Sequence, residues 1–186
     1  MKEVLLSVRP QWCELIANGK KTLEIRKSRP KLETPFKCYI YCTKEKTPGE
    51  LLLTSDGTVD GRNKGFRDEG DIPLAGTVIG EFVCDNIRCF DVPYPAFQSE
   101  MDKSILADSR CTYYMLHRYA YHDTLYGWHI SALQIYDKPR ELSEFKLCDK
   151  CPYGDRARCN EHEFSCDGTY ALNRAPQSWC YVEDIG

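Results

Sequence analysis

The 186-residue sequence contains no long hydrophobic run. A transmembrane helix needs roughly 20 consecutive apolar residues, and no apolar run of this chain approaches that length. The first ten residues are interrupted by charge too early to resemble a signal peptide. We therefore expect a cytoplasmic protein that makes no membrane contact.

The sequence also lacks an excess of basic residues. Its formal net charge is -3 at pH 7, which argues against a protein whose entire surface binds nucleic acid. A local basic site is still compatible with this balance, because the field near a cleft depends on where the charges lie. Internal repeats and linker-like segments are absent as well, and the length suits one domain with a sizeable core.

A short helix is predicted over residues 10–18. Trp12, Leu15 and Ile16 have the i, i+3, i+4 spacing of a single buried helical face. Gly19 follows, and glycine suits the left-handed residue that ends a helix. The chain is therefore expected to turn at this glycine.

After the turn, residues 22–26 change to the alternating pattern of a half-buried strand. Glu24 and Arg26 would then share one strand face, next to the cationic turn formed by Lys20 and Lys21. One interpretation is a solvent-exposed charged pair, which contributes little to stability. The other is a cleft that binds a polar or anionic ligand.

Other segments show clear local patterns. Residues 60–71 are predicted to be a loop, and residues 51–59 a hairpin that turns at an Asp-Gly pair. Further strands are predicted near residues 4–9, 36–43, 77–83, 128–136 and 177–182, and helices over residues 100–107 and 112–121.

Several of these segments together resemble the ASCH family, which is related to the PUA domain of RNA-binding and RNA-modifying proteins. The resemblance extends to about Phe145, and the C-terminal segment resembles that of ASCH proteins of phage and prophage origin. The segments that carry it are Leu6-Ser7-Val8-Arg9-Pro10, Gly19-Lys20-Lys21-x-x-Glu24-x-Arg26, Tyr39-Ile40-Tyr41-Cys42-Thr43, Ile79-Gly80-Glu81-Phe82-Val83, Trp128-His129-Ile130 and Pro176-Gln177-Ser178-Trp179-Cys180-Tyr181-Val182.

The resemblance implies an α+β fold, a PUA-like β-barrel flanked by short helices. Residues 1–146 are predicted to form the ASCH domain. Residues 147–186 are predicted to form a cysteine-rich appendage whose last strand returns to the barrel.

The function that the resemblance implies is binding of RNA or a modified nucleotide around the Gly-Lys-Lys-x-x-Glu-x-Arg stretch. Single-stranded RNA is usually read by aromatic stacking and by polar contacts to unstacked bases. Cationic groups would contact phosphates, and polar and aromatic groups would contact bases. The candidate ligand-binding residues are Ser7, Arg9, Lys20, Lys21, Glu24, Arg26 and Trp128.

Two alternatives stay open, and the sequence does not decide whether the protein is an enzyme. One branch of the family resembles amidohydrolases acting on N4-acetylcytidine, with a lysine in the Gly-x-Lys turn and a threonine nucleophile three residues later. Lys21 matches the lysine, but Glu24 occupies the threonine position. A ribonuclease or another hydrolase would use Glu24 as a general base and Lys21 to stabilise negative charge. The second alternative is a phage or mobile-element interaction protein without catalysis.

The sequence becomes rich in cysteine and poor in apolar residues after Phe145. Four cysteines follow at positions 148, 151, 159 and 166, and the first two have the Cys-x-x-Cys spacing of a tetrahedral metal clip. His162 is an alternative to either of the last two cysteines. The tail has few apolar residues, so it needs a staple to hold a fixed shape. Structural zinc, redox-dependent disulfides and free thiols are the three alternatives.

We predict that Cys148, Cys151, Cys159 and Cys166 bind one structural zinc ion. Metal analysis of protein purified without a chelator should then find about one zinc per chain, the stoichiometry of one closed four-ligand site. A metal-free protein that keeps its full thermal stability would contradict this prediction.

Overall fold

The computed structural model describes residues 2–44, 49–63, 65–147 and 170–185. Within these residues the chain forms three α-helices, two short 3-10 helices and thirteen β-strands. The α-helices are α1 (Pro10–Ala17), α2 (Lys103–Ser109) and α3 (Tyr113–Ala120), and the 3-10 helices cover Pro95–Glu100 and Leu142–Glu144. The strands are β1 (Lys2–Val8), β2 (Leu23–Arg26), β3 (Phe36–Cys42), β4 (Gly49–Leu53), β5 (Val59–Asn63), β6 (Ile72–Pro73), β7 (Val78–Cys84), β8 (Ile87–Phe90), β9 (Leu125–His129), β10 (Ser131–Arg140), β11 (Lys146–Leu147), β12 (Tyr170–Ala171) and β13 (Trp179–Glu183).

The main sheet has seven strands in the order β10-β7-β3-β1-β13-β11-β12. Its middle strand, β1, runs parallel to β3 on one side and antiparallel to β13 on the other. The last strand of the chain therefore lies beside the first, which brings the segment that precedes β13 close to the end of β1.

The closed β-barrel implied by the resemblance is not found among the described residues. Their strands form the main sheet and two three-stranded sheets, β2-β9-β8 and β5-β4-β6, giving a mixed α+β fold with few, short helices.

One reason for the separate sheets lies at Ile130, where the predicted single strand over residues 128–136 divides into β9 and β10. The Ile130 amide donates to the Thr22 carbonyl at 2.9 Å, and Ala132 has a φ of 45°. These features turn the chain from one sheet into another.

The first helix agrees with its sequence pattern. Gly19 has a φ of 65°, and its amide donates to the Ile16 carbonyl at 2.8 Å. The next amide, of Lys20, donates to the Leu15 carbonyl at 2.8 Å. These bonds satisfy carbonyls at the helix end and reverse the chain towards β2.

The two faces of β2 lie in different surroundings. Leu23 and Ile25 are buried against α2 and α3 in an apolar cluster that includes Ile105 and Leu116. Each such side chain contributes about 1.5–3 kcal/mol on burial. Because strand side chains alternate, this packing directs Glu24 to the opposite face.

The predicted hairpin is formed by β4 and β5, with Leu53 opposite Val59. The predicted loop over residues 60–71 is partly wrong, since β5 continues to Asn63. Arg62 holds the segment after it through ion pairs with Asp68 at 2.6 Å and Asp71 at 2.7 Å.

The predicted zinc ligands, Cys148, Cys151, Cys159 and Cys166, lie outside the described residues. In the described part of the chain, no group of histidine, cysteine, aspartate or glutamate side chains is arranged to hold a metal ion. None of the described helices is long and apolar enough to cross a membrane.

Candidate functional site

A cleft of about 870 Å³ lies next to the charged face of β2. Its walls come from the end of β1, from α1 and α3, and from the segment that precedes β13. The described residues that line it are Ser7, Val8, Arg9, Gln11, Trp12, Lys21, Glu24, Ile25, Arg26, Thr43, Cys111, Met115, Leu116, Arg118, Tyr119, Pro176 and Gln177.

Lys21 lies in the turn between α1 and β2, and its side chain is almost completely buried. Its ammonium group donates to the carbonyl oxygens of Leu23 at 2.9 Å and Ser109 at 2.8 Å. The third partner is the Glu24 carboxylate, with 3.3 Å between Nζ and Oε2. The three N–H groups of the ammonium therefore have three protein acceptors.

Two further interactions stabilise the Lys21 charge. Ser109 is the last residue of α2, so the ammonium lies at the negative end of that helix. The ring of Trp12 lies 5.0 Å from Nζ, measured to the ring centroid, within cation–π range. The cation is thus held by contacts from α1, α2 and β2.

Glu24 links Lys21 to Arg26. Its Oε1 atom lies 2.9 Å from Nη2 of Arg26, and the side chains of Glu24 and Arg26 are each only 8% exposed. The interpretation of an exposed surface pair is therefore wrong. The pair is buried because β1 and the segment before β13 cover this face of β2.

Arg26 joins β2 to both covering segments. Nη2 donates to the Ser7 carbonyl at 2.8 Å, and Nη1 donates to the Ser178 carbonyl at 3.3 Å. Ser7 in turn donates its hydroxyl to the Pro176 carbonyl at 2.6 Å. The C-terminal segment is thereby fastened to the cleft by the same arginine that pairs with Glu24.

One donor at this site has no protein partner. The Nε atom of Arg26 is buried and makes no hydrogen bond with any described residue. An unpaired buried donor costs free energy unless a water or ligand satisfies it. The cleft floor thus carries the cations Lys21 and Arg26, the carboxylate of Glu24, and one hydrogen-bond donor without a protein partner, the Nε atom of Arg26.

Cys111 also lines the cleft, but its environment does not favour a nucleophile. Burial raises the pKa of its thiol, outweighing the opposite influence of the nearby Lys21 charge. Since the thiolate is the reactive form of cysteine, this side chain stays a neutral thiol at physiological pH.

Most of the residues predicted from the sequence meet at this cleft. Ser7, Arg9, Lys21, Glu24 and Arg26 all line it. Lys21 and Glu24 converge because β2 begins only at Leu23, which leaves Lys21 in the turn.

Two predicted ligand-binding residues lie elsewhere. Lys20 is exposed and is not among the described lining residues, while its carbonyl accepts a hydrogen bond from Arg110. Trp128 is completely buried and packs edge-on against Phe36, with 5.8 Å between ring centroids. Its assignment as a ligand contact is corrected to a core residue. Trp128 shares the strand face of Glu24, its partner in the β2–β9 ladder, but its ring is enclosed by the apolar cluster that contains Phe36 and Trp179.

One wall of the cleft was not predicted from the sequence; it is formed by Met115, Arg118 and Tyr119 of α3. The signal was present in the helix, where the positions outside the buried stripe carry aromatic and basic residues but no carboxylate. Gln177, on the segment before β13, was missed as well, since nothing in its local sequence places it near β2.

Residues 6–82 match the model of the ASCH domain. The matched segment includes Lys21, Glu24 and Arg26 and agrees with the family resemblance found in the sequence. The domain bounds of 1–146 stay a prediction.

Solved structures agree with this fold. The crystal structure of ASCH from Zymomonas mobilis is 16% identical, with a TM-score of 0.55 over 97% of this chain and 87% of that chain. A mutant of the same protein gives 15% identity and a TM-score of 0.53 over 98% of this chain and 91% of that chain. No curated protein matches the chain.

The buried charges lead to a stability prediction. Glu24→Gln leaves Lys21 and Arg26 buried without their carboxylate, so we expect it to lower the free energy of unfolding by about 3 kcal/mol. Glu50→Gln is the matched control, because the Glu50 carboxylate pairs with the half-exposed Arg67, and we expect it to cost less than about 1 kcal/mol. Urea unfolding under reducing conditions measures both. Equal losses for the two variants would show that the buried charges do not support the fold.

Proposed function

We propose that this ASCH-domain chain binds single-stranded RNA, or a modified nucleotide, in the cleft above Lys21, Glu24 and Arg26. The ASCH domain is generally thought to bind RNA. The observation that carries the proposal for this chain is the charge of the cleft. Its described lining has four cationic side chains and one carboxylate, although the whole chain has a net charge of -3.

This contrast favours an anionic ligand. Clefts lined by one sign of charge, with walls of low dielectric, concentrate the field and attract ions of the opposite sign. Two of the positive lining residues, Lys21 and Arg26, flank Glu24 at the floor, and Arg118 lies on the wall formed by α3. A phosphate-bearing ligand would pair with this positive charge, whereas a neutral metabolite would not.

The cleft also offers groups that recognise bases. The rings of Trp12 and Tyr119 lie on its walls, and the amide side chain of Gln177 is exposed beside it. Unstacked bases are recognised by aromatic stacking together with hydrogen bonds to their edges. Its volume of about 870 Å³ lies within the range of ligand pockets, roughly 300–1,000 Å³.

We assign the residues two roles. Arg9 and Arg118 contact phosphates near the cleft mouth. Arg26 and Glu24 shape the floor, where the free Nε donor of Arg26 meets a base or phosphate after a small side-chain movement. The guanidinium plane of Arg26 provides directional donors that a lysine cannot reproduce.

The test is binding of short single-stranded RNAs of about eight nucleotides, a length within the usual site size of roughly 4–16, across a series of salt concentrations. Arg118→Gln should weaken binding and reduce the slope of log K against log salt by about 0.7 for each lost phosphate contact. Lys138→Gln is the control with the same charge change, because Lys138 is exposed on β10 and is not among the described lining residues.

A second pair of variants tests the floor. Arg26→Lys should weaken binding nearly as much as Arg26→Ala, provided that both variants fold by circular dichroism. If the wild type binds no RNA above background at low salt, where backbone attraction is strongest, the proposal fails.

The second candidate function is hydrolysis of a modified nucleoside or of RNA. It is favoured by the 3.3 Å approach of Lys21 Nζ to Glu24 Oε2 at the cleft. Against it, the three donors of Lys21 already have protein acceptors, so one must be released before the ammonium stabilises an oxyanion. Thr22, the neighbouring hydroxyl, is not among the described lining residues.

For this candidate we predict no release of acetate from N4-acetylcytidine, because Glu24 occupies the position of the threonine nucleophile. Chromatographic assay of the nucleoside after prolonged incubation measures this. Turnover that survives Thr22→Ala but disappears in Lys21→Ala and in Glu24→Ala would contradict the prediction and establish a carboxylate mechanism.

Two further proposals stand beside these. A phage or mobile-element interaction protein without catalysis becomes the preferred function if neither RNA binding nor turnover is detected. The structural zinc of the tail cysteines is proposed independently of the cleft.

A further inference from the structure

We propose that the outward side of α3 continues the cleft as a stacking path for single-stranded RNA, so that the ligand is a strand of several nucleotides rather than an isolated nucleotide. This inference rests on the proposed RNA binding and adds a second subsite to it. The subsite, here called the α3 platform, consists of Tyr114, Met115, Arg118, Tyr119 and Tyr121.

The platform differs from an ordinary helix surface. Tyr114 is 68% exposed, Met115 and Tyr119 are each 41% exposed, and Tyr121 is 79% exposed. Solvent-facing helix positions usually carry charged and polar residues. This helix has no carboxylate at all, and Arg118 provides a positive charge between the rings.

Helix geometry arranges these residues in two adjacent rows. Met115 and Tyr119 are separated by four residues and therefore lie on one face, one above the other. Tyr114 and Arg118 form the second row in the same way. Tyr121 follows at the C-terminal cap, where its φ of 44° departs from helical geometry. Each row thus presents one tyrosine ring, and Arg118 lies between the two rings on the helix surface.

The platform is rigid because the opposite side of α3 is buried. Tyr113, Leu116 and Ala120 pack in the cluster that also holds the apolar face of β2. The Tyr113 hydroxyl donates to the Pro93 carbonyl at 2.7 Å, and the Thr112 side chain accepts from the Met115 amide at 3.3 Å. Of the exposed rings, Tyr114 packs edge-on against Tyr113, with 5.3 Å between ring centroids, and most of its surface is still open to a ligand.

The first row is continuous with the cleft, since Met115 and Tyr119 also line it. Lys27 lies beside this junction, with its Nζ 5.6 Å from the centroid of the Tyr119 ring and 3.0 Å from the Asp123 carboxylate. An RNA strand with one base in the cleft would pass Tyr119 first and Tyr114 next. Arg118 and Lys27 would then lie near its phosphates.

The chemistry of the platform fits RNA better than a protein partner. Every base presents a flat π face, so tyrosine rings stack on bases regardless of sequence, and arginine adds a cation–π and phosphate contact. Tyrosine, methionine and arginine are also enriched at protein interfaces, so RNA is preferred over a protein partner because the platform is continuous with the positively charged cleft. On α3 the leucine of the helix, Leu116, is buried in the core.

The experiment compares a mononucleotide with a single-stranded RNA of about eight nucleotides, using wild type, Tyr114→Ala, Tyr119→Ala and Tyr119→Phe. Tyr114 is the decisive position, because it is exposed but is not among the described cleft-lining residues. Phe66→Ala is the matched control, since Phe66 is an exposed aromatic residue outside both the cleft and the platform.

We expect Tyr114→Ala and Tyr119→Ala each to weaken RNA binding by roughly 5- to 100-fold, the range for loss of one stacked base. Tyr119→Phe keeps the ring and should bind nearly as well as wild type. Tyr114→Ala should leave mononucleotide binding unchanged, and Phe66→Ala should leave both ligands unaffected.

Four results would overturn the inference. If wild type binds the mononucleotide as tightly as the RNA, or if Tyr114→Ala binds RNA normally, the platform is not used while the cleft proposal stands. If wild type binds neither ligand, both proposals fail together. If sedimentation shows that wild type self-associates and that Tyr114→Ala abolishes this without affecting RNA binding, the platform is a protein interface.

Discussion

The buried Lys21–Glu24–Arg26 chain is the interaction on which the rest of the site depends. Glu24 lies between two cations that also donate to backbone carbonyls of other elements. Through Lys21 it holds the end of α2, and through Arg26 it holds the end of β1 and the segment before β13. Buried charges are tolerated only when they are paired and hydrogen-bonded, so this geometry constrains all of these segments at once.

The strand that carries these charges also explains why the cleft is placed where it is. One face of β2 packs against α2 and α3, and the other supplies the charged floor. The apolar face anchors the strand, while the charged face is covered only partly, by β1, α1 and the C-terminal segment. A cleft remains where that cover is incomplete, and its positive lining contrasts with the acidic balance of the chain.

Helix α3, like β2, has one face in the apolar cluster and another face at the cleft. Its inner residues complete the apolar cluster behind β2, and its outer residues form a cleft wall and an exposed aromatic surface. Since the inner face secures the helix, the outer face is free to carry rings that an ordinary surface helix would not expose. The buried and the exposed aromatic residues are thereby separated on one short element.

The sequence by itself determined the local features of this protein. The helix before Gly19, the change of period after it and the shared strand face of Glu24 and Arg26 follow from side-chain spacing within a few residues. The ASCH resemblance came from segments that can be recognised in the same local way.

Only the tertiary structure decided which distant groups meet. Lys21 bonds to a carbonyl 88 positions away, and Arg26 to one 152 positions away; no local pattern contains these pairings. The burial of Trp128, the change of sheet at Ile130 and the use of α3 as a cleft wall depend on packing between elements. These three features depend on which faces of the helices and strands become buried against each other. The spacing of residues within one segment does not contain that information.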